Sequence, residues 1–427
     1  MSRSPWSLHR GASIIAAVKR GAPNGASRRD RYDRWFRYPA GFSRSTLEAA
    51  FAATGGANGQ AVVDPFCGAA TVGTATLAGG GRFFGLEAHP LMVDLARLKL
   101  ASPSSEVTAL TEAASRVASA STLPIDHETE LVKRCFEKET LEILCGIRHA
   151  LEREPAWQQH LTWALLGTLR DVASKKVGWP YQRPNQPRKP LVKDPRQRFI
   201  LRAEAMASDL RDLPLHGDGR VRLGDSRLSQ PWKDLLKNDL ADACVSSPPY
   251  LNNFDYADAT RLEVYFLGQA KTWKELCDRV RSRMLIASTQ QTRVARAKRD
   301  LGGLRHWPSV EREAASIVAS LQAERRSRPR GKEYDRVVPS YLYGIGCVLQ
   351  RLRKHLRKGA TCSWVIGDSA PYGVYIDTPR LISELAEDSG FRLEGSSVVR
   401  ARGARWQQNS TRHDVQLDER LICFEAV

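Results

Sequence analysis

The sequence predicts an α/β protein built on a doubly wound, Rossmann-like sheet with helical and irregular insertions. An apolar strand at 61–63 ends in an acid and a turn, and a helix of small residues begins near Thr71. A second apolar run at 82–86 ends in another acid, Glu87. A third run, at 240–245, is soon followed by two consecutive prolines, which stop a strand or a helix.

The composition indicates a globular protein with a polyanionic partner. The 427 residues are enough for two to three domains. They include 65 Lys and Arg against 47 Asp and Glu, a formal net charge of +18. Such an excess of cations is typical of proteins that bind nucleic acid, although charge alone does not separate DNA from RNA.

The eight cysteines are scattered, without a CxxC pair or a Cys/His cluster of ligand spacing. We therefore expect free, reduced thiols and no metal site. No apolar run approaches the roughly 20 residues of a membrane span, and the N-terminus has no long apolar core. These features predict a cytoplasmic protein that does not associate with membranes.

Taken in order, residues 1–30 are interpreted as a basic, flexible tail. A helix is expected from Thr46, capped by Ser43 or Ser45. Two acids then follow the first two strands. Asp64, at the tip of the first strand, can accept an ammonium group from a ligand. Glu87 follows the next turn at the spacing of an acid that accepts ribose hydroxyls in nucleotide-binding βαβ units.

From residue 91 to about 215 the pattern is mainly helical, but the segment 175–198 is predicted to be irregular because it contains five prolines. Cations and two aromatic residues are interleaved in it. This pattern is typical of a nucleic-acid contact, and the alternative is a solvated loop. The candidate contact residues are Lys175, Lys176, Trp179, Tyr181, Arg183 and Arg188.

A second irregular insertion is expected after Gly268, up to about Pro339. It carries two basic clusters separated by a helical stretch over 309–322, and Arg293 and Arg296 in the first cluster are further candidates for contact with nucleic acid. The sheet then resumes. The spacing predicts an amphipathic helix over 341–360 with a glycine stop at its end, a buried strand over 362–369, a helix ending at Gly390 and two final strands.

The elbow at 247–250 follows the strand at 240–245. It offers a serine, two proline carbonyls and an aromatic ring, which together can accept hydrogen bonds from an exocyclic amine and stack on a flat base. The stretch SSPPY resembles motif IV of the amino-methyltransferases, and the continuation over 251–268 resembles one branch of bacterial DNA methylases. DPFCGAAT resembles their motif I, DPFCGSGT, but has alanine at positions 69 and 70.

This resemblance implies the class I sheet of the S-adenosylmethionine-dependent methyltransferases. The catalytic core would comprise residues 31–104, 216–268 and 336–427. Residues 105–215 would form a mainly helical insertion, and residues 269–335 a basic insertion that reads the target. Motif X, YPAGF, and motif III, GD, complete the cofactor site. The implied cofactor-binding residues are Tyr38, Pro39, Phe42, Asp64, Phe66, Gly68, Thr71, Glu87 and Asp225.

The implied reaction moves a methyl group from S-adenosylmethionine to the exocyclic amine of a flipped base in DNA. The catalytic residues would be Ser247, Pro248, Pro249 and Tyr250. Serine at the first position favours cytosine N4, with adenine N6 as the alternative. An RNA base methyltransferase and a degenerate protein that only binds nucleic acid are the remaining alternatives. The family also leaves room for a cognate restriction or defence protein as a partner, and the chemistry needs no metal.

Overall fold

A mixed seven-stranded sheet forms the centre of the computed structural model, which describes residues 30–38, 42–101, 106–178, 182–252, 254–292, 297–402 and 415–427. Its strands are β1 (Ala61–Asp64), β2 (Arg82–Glu87), β5 (Gly219–Leu223), β6 (Ala241–Ser246), β7 (Leu356–Gly367), β8 (Phe391–Arg402) and β9 (Leu417–Ala426). A separate two-stranded antiparallel ribbon consists of β3 (Lys175–Lys176) and β4 (Arg183–Pro187).

The strand order in the large sheet is β5-β2-β1-β6-β7-β9-β8. All neighbours up to β7 pair in parallel, and β9 runs antiparallel between β7 and β8. The chain builds outward from β1 through β2 to β5 and then returns to the other side of β1 with β6. This reversal is a topological switch point, which opens a crevice at the carboxyl ends of β1 and β6. The predicted fold class is confirmed.

Helices cover both faces of the sheet. They are α1 (Arg44–Ala53), α2 (Thr71–Ala78), α3 (Pro90–Leu100), α4 (Thr108–Ala118), α5 (Glu130–Cys135), α6 (Lys138–Ala150), α7 (Gln158–Val172), α8 (Pro195–Asp212), α9 (Ser229–Leu236), α10 (Tyr256–Ala259), α11 (Arg261–Phe266), α12 (Trp273–Arg279), α13 (Ala297–Gly303), α14 (Pro308–Arg326), α15 (Tyr334–Lys354) and α16 (Thr378–Glu387). Alternate residues of β1 belong to different cores: Val62 packs with α1 to α8, and Val63 packs with α9 and α13 to α16.

Three local predictions were wrong. The segment 175–198 is not wholly irregular, because the β3/β4 ribbon and the start of α8 lie in it; an isolated ribbon tolerates its prolines. The glycine stop at Gly359 does not end α15. That helix ends at Lys354, and residues from Leu356 onward extend to pair with β6, with Gly359 inside β7 at φ 79°. In the second insertion the stretch 309–322 lies in α14, as predicted, but α12 and α13 are helical as well, and Pro339 lies inside α15.

The segment 30–38 is fixed against the first insertion by the buried carboxylate of Asp209. This carboxylate accepts hydrogen bonds from the backbone N–H of Tyr32 (2.9 Å), the indole of Trp35 (2.9 Å) and the guanidinium of Arg34 (2.6 Å). A carboxylate with three donors from one short segment holds that segment in one conformation. The rest of this segment, including Tyr38, is thereby placed over the switch point.

Arg170 on α7 joins three parts of the chain around the crevice. Its guanidinium donates to the buried carboxylate of Glu263 (2.5 Å) and to the carbonyls of Arg37 (2.6 Å) and Ala259 (3.1 Å). It also lies 4.0 Å from the ring centroid of Phe36. The first insertion is thus connected both to the N-terminal segment and to the helices that follow the elbow.

Asp33 connects the same N-terminal segment to the sheet side of the crevice. Its carboxylate accepts hydrogen bonds from Thr71 Oγ1 (2.9 Å) and from Lys99 Nζ (3.1 Å), and Lys99 is 0% exposed. A fully buried ammonium group requires a paired anion. Asp33 therefore has a structural partner on α3 and a second partner at the start of α2.

We expect Lys99→Met to lower the free energy of unfolding by about 3 to 5 kcal/mol, because the Asp33 carboxylate would remain buried without its cation. Urea denaturation measures this change. The double variant with Asp33→Asn should recover part of the loss, and Lys138→Met, at an exposed lysine of α6, is the control. A loss under about 1 kcal/mol, the range of exposed pairs, would contradict the prediction.

Candidate active site

The crevice at the switch point is a cleft that is partly open to solvent, with about 1040 Å³ of space between its atoms when its open mouth is included. It brings together residues that are far apart in sequence. The residues predicted from sequence that line it are Tyr38, Phe42, Asp64, Phe66, Gly68, Thr71, Glu87, Asp225, Ser247 and Pro249.

Asp64 lies at the carboxyl end of β1 and is 2% exposed. Its Oδ1 accepts hydrogen bonds from Ser246 Oγ (2.6 Å), at the end of β6, and from the backbone N–H of Phe66 (3.0 Å). Burial raises the pKa of this carboxyl to about 7, and the two hydrogen bonds oppose the rise. This carboxyl lines the cleft.

Glu87 lies at the carboxyl end of β2 and supplies the second acid of the cleft. Its Oε2 accepts from the backbone N–H of Gly68 (2.8 Å), and its Oε1 accepts from the backbone N–H of His89 (2.7 Å). Burial raises its pKa to about 7 as well. Gly68 has φ 51°, a left-handed conformation that glycine adopts without strain, and this turn brings its N–H to the carboxylate.

Asp225 follows β5 and forms the third acidic wall. It accepts a hydrogen bond from the backbone N–H of Arg227 (3.0 Å), and the guanidinium of the same arginine donates to its Oδ2 (2.6 Å). Because Arg227 donates to both oxygens of Asp225, the plane of this carboxylate is fixed. The remaining acceptor capacity of Asp225 is directed into the cleft that it lines.

The elbow stands on the other side of Asp64. Ser247 Oγ donates to the carbonyl of Val365 on β7 (3.1 Å), and the Ser247 side chain also forms a hydrogen bond with that of Tyr250. Pro249 lines the cleft, whereas Pro248 and Tyr250 lie beside it. Within the elbow, Pro248 is buried.

Tyr250 is 4% exposed, and its hydroxyl donates to the carboxylate of Glu419 on β9. Burial, and then the negative charge of Glu419, raise the pKa of this phenol well above its usual value. The guanidinium carbon of Arg402 lies 5.0 Å from the ring centroid. The ring is therefore fixed at its hydroxyl and covered by a cation on a face.

Several residues around the site were not predicted from sequence. Asp33 and Tyr256 line the cleft, and the Tyr256 ring lies 5.8 Å from that of Tyr38. Ser246 bonds to Asp64. Ser246 and Tyr256 stand within or just after the SSPPY motif, so their positions were marked without a role. Asp33 has no motif signal, because its place depends on the fold of the segment 30–38.

The predicted nucleic-acid residues lie away from the cleft where the structure describes them. Lys175 and Lys176 form β3, and Arg183 begins β4. Arg188 is partly buried, and its guanidinium donates to the carbonyl of Arg170 (2.6 Å), so it has a structural contact. Five further predicted residues and the basic tail over residues 1–29 lie outside the described residues. The five are Pro39, Trp179, Tyr181, Arg293 and Arg296.

The ribbon nevertheless borders the elbow side of the molecule. Gln182 is buried, and its backbone forms a hydrogen bond with the Asp258 carboxylate in α10, just after the elbow. Lys176 and Arg183 are exposed. Two exposed cations are thus fixed beside the helices that follow SSPPY.

Within the described ranges, no group of three or more His, Cys, Asp or Glu side chains could hold a metal ion. All eight cysteines are free, and five of them are buried: Cys67, Cys135, Cys145, Cys244 and Cys362. Among the helices that the structure describes, none is both long enough and apolar enough to span a membrane.

The strand order, with its switch point between β1 and β6 and a cleft at their carboxyl ends, is that of a Rossmann-like α/β sheet. Over 166 residues the chain is 25% identical to "Type II methyltransferase M.AvaI" from Nostoc sp. (strain PCC 7120 / SAG 25.82 / UTEX 2576), and equally to the protein of the same name from Anabaena variabilis. The match covers 38% of this chain and 33% of each relative, so the chain spans a third of their length. The resemblance to methyltransferases is confirmed.

No family model matches the chain. Among solved structures, TrmN from Thermus thermophilus is similar with a TM-score of 0.31 and 10% identity, over 90% of this chain and 48% of that one. The rRNA methyltransferase aviRa from Streptomyces viridochromogenes has the same TM-score and identity, over 90% of this chain and 86% of its own. TM-scores this low do not bear on the target of this chain.

The two buried acids predict a dependence of stability on pH. Because the pKa values of Asp64 and Glu87 rise from 3.8 and 4.5 to about 7 on folding, the folded protein binds more protons than the unfolded chain between these values. Stability should therefore fall as the pH rises from about 4 to 7, by at most about 1.4 kcal/mol per pH unit for each group.

Urea denaturation at pH 5, 6 and 7 measures this slope. Asp64→Asn and Glu87→Gln should each flatten it, because neither amide titrates. Glu130→Gln, at an exposed acid of α5, should leave the slope as in the wild type. A decline of the same steepness in all four proteins would show that these two acids do not carry it.

Proposed function

We propose that the protein is a DNA methyltransferase that transfers a methyl group from S-adenosylmethionine to the exocyclic amine of a flipped base, with cytosine N4 as the favoured acceptor. The observation that supports it is the direct hydrogen bond between Asp64 and Ser246. It joins the acidic cleft at the end of β1 to the elbow at the end of β6. A cofactor site and a base-amine site therefore share one edge of the sheet.

The cleft suits S-adenosylmethionine because its acceptors match the donors of that molecule. Asp64 would accept from the ammonium group, Glu87 from the ribose hydroxyls and Asp225 from the adenine amine. Tyr38, Pro39 and Phe42 would close over the methionine end, and Phe66, Gly68 and Thr71 would complete the contact surface. When bound, this cofactor supplies an electrophilic methyl group. The three carboxylates that would accept these hydrogen bonds, those of Asp64, Glu87 and Asp225, line the cleft.

The elbow would orient the attacking amine. The lone pair of an exocyclic amine is delocalised into the ring, so the site must turn it toward the methyl group, which is mainly a matter of positioning. Ser247 Oγ, whose hydrogen is donated to Val365, and the carbonyl of Pro248 would accept the two N–H bonds. Pro249 would hold the elbow rigid, and Tyr250 would stack on the base.

The choice of DNA and of cytosine depends on the motif. The continuation of SSPPY over 251–268 resembles the DNA branch of the family, and Ser247 at the first position of SPPY favours cytosine N4. The relative M.AvaI is named a type II methyltransferase, and this name is consistent with the proposal of a modification enzyme. Residues 31–104, 216–268 and 336–427 would act as the catalytic core, with DNA contact in the insertions at 105–215 and 269–335.

The exposed cations of the ribbon, Lys176 and Arg183, are the described candidates for contact with the phosphate backbone. The ribbon is fixed beside the elbow through Gln182 and Asp258. A duplex that presents a flipped base to Tyr250 would extend past this side of the molecule. Phosphate contacts there would position the duplex without reading its sequence.

Nucleoside mass spectrometry on DNA and RNA from cells that express the protein tests the reaction. We expect N4-methylcytosine in DNA, and no mark with Tyr250→Ala or Asp64→Ala. Calorimetry with the purified variants should show that Tyr250→Ala still binds the cofactor, whereas Asp64→Ala loses affinity. Glu130→Ala is the exposed control.

Other outcomes of this experiment are distinct. N6-methyladenine would keep the mechanism and change the base, and a mark only in RNA would overturn the substrate class. Cofactor binding without any mark would favour a protein that only binds nucleic acid. Equal loss of cofactor binding in both variants would show that the roles of Asp64 and Tyr250 are assigned wrongly.

Salt dependence tests the phosphate contacts. The logarithm of the DNA association constant should fall with the logarithm of salt concentration, and Lys176→Ala with Arg183→Ala should reduce that slope by about 0.9 for each lost contact. Fluorescence anisotropy with labelled duplex DNA measures it. Lys138→Ala, an exposed lysine on α6, should not change the slope. A double variant with the wild-type slope would remove the ribbon from the interface.

A further inference from the structure

The aromatic ring that would stack on the target base is covered by a side chain of the protein itself. Arg402, at the end of β8, places its guanidinium carbon 5.0 Å from the ring centroid of Tyr250. Its Nη1 donates to the carbonyl of Asp368 (2.8 Å), at the end of β7. A planar cation is thus held over the ring by the hydrogen bond that it donates to the carbonyl of Asp368, just after β7.

The surroundings are shaped to hold both groups. A side chain at Gly367 would overlap the Arg402 guanidinium, which would have to shift, and would crowd the Tyr250 ring. The Tyr250 hydroxyl and Arg400 both donate to Glu419, which is buried. The ring therefore has a fixed orientation, whereas the hydrogen bond of the Arg402 side chain within the described part of the chain is a single one, to the carbonyl of Asp368.

We propose that Arg402 is a placeholder for the target base: it stacks on Tyr250 in the free protein and leaves when the flipped base enters. A guanidinium is planar and stacks on aromatic faces, so it fills the position of a nucleobase without closing it permanently. This inference rests on the proposed function and makes it more specific, because it names the residue that the base must displace.

The displaced side chain would not lose all its interactions. A flipped nucleotide brings its own phosphates to the mouth of the site, and an arginine released from Tyr250 can pair with them. Arg402 is only partly buried, which permits such a movement. A base that is too weakly held to replace the cation would be rejected, so Arg402 would also act on specificity.

Arginine-detected NMR tests the proposal on the intact protein labelled with ¹⁵N and ¹³C at arginine, with S-adenosylhomocysteine present to fill the cofactor cleft. The Arg402 side-chain signal, assigned with Arg402→Lys, should be shifted upfield by the ring of Tyr250. Saturation with deoxycytidine monophosphate should abolish that shift. Deoxyadenosine monophosphate is the second probe.

Binding of the corresponding nucleosides, deoxycytidine and deoxyadenosine, completes the test, because they carry no phosphate with which a released arginine could pair. Arg402→Ala and Arg402→Lys, which both lack the planar group, should bind the favoured nucleoside about threefold to tenfold more tightly than the wild type. Arg392→Ala, an exposed arginine elsewhere on β8, should bind as the wild type does. The lysine variant keeps the charge and guards against an effect of misfolding.

The failures are distinguishable. Nucleotide binding in which the Arg402 signal keeps its upfield shift would show that Arg402 stays stacked on Tyr250. Weaker binding by both variants than by the wild type would make Arg402 a direct ligand of the base. Either result would overturn the proposal that Arg402 is a placeholder and would leave the proposed function in place. An Arg402 signal without an upfield shift in the free protein would overturn it as well. No nucleotide binding by any protein would overturn the proposed base site and the placeholder together.

Discussion

The hydrogen bond between Asp64 and Ser246 is the interaction on which the site depends. It joins the ends of β1 and β6, where the strand order of the sheet changes direction. The two strands are in register through Val62 with Ala243 and Val63 with Cys244. A slip of one residue would turn the Asp64 side chain to the opposite face of the sheet. The separation between the acidic cleft and the elbow is therefore set by strand pairing and not by loops.

The cleft and the elbow differ in how readily each would accept a ligand. In the cleft, Asp64 and Glu87 are buried carboxyls whose pKa values are raised, so a ligand with several donors would relieve an unfavourable environment. At the elbow, the Tyr250 ring already has a cation over it, and an incoming base would have to replace a favourable contact. Such an arrangement would favour cofactor binding first and would make base entry selective.

The sheet and most of the cleft were predictable because their signals are local. Asp64, Gly68 and Glu87 stand at strand ends that short apolar runs and turns define. Asp33 and Arg402 were not predictable, since their roles depend on contacts with Lys99 and Tyr250, far away in sequence. The end of α15 was misplaced for a similar reason: a glycine normally ends a helix, but pairing with β6 draws the chain into a strand sooner.

The pairing of β2 with β5 carries a consequence for how the protein folds. Glu87 pairs with Leu223, and the whole first insertion lies between them. This contact is non-local, and closing so long a loop is slow compared with forming helices or neighbouring strands. During synthesis β1 and β2 emerge long before β5, so the wall of the cleft that contains Asp225 is completed late. The nascent chain would therefore present an unpaired edge of β2 until β5 has paired with it.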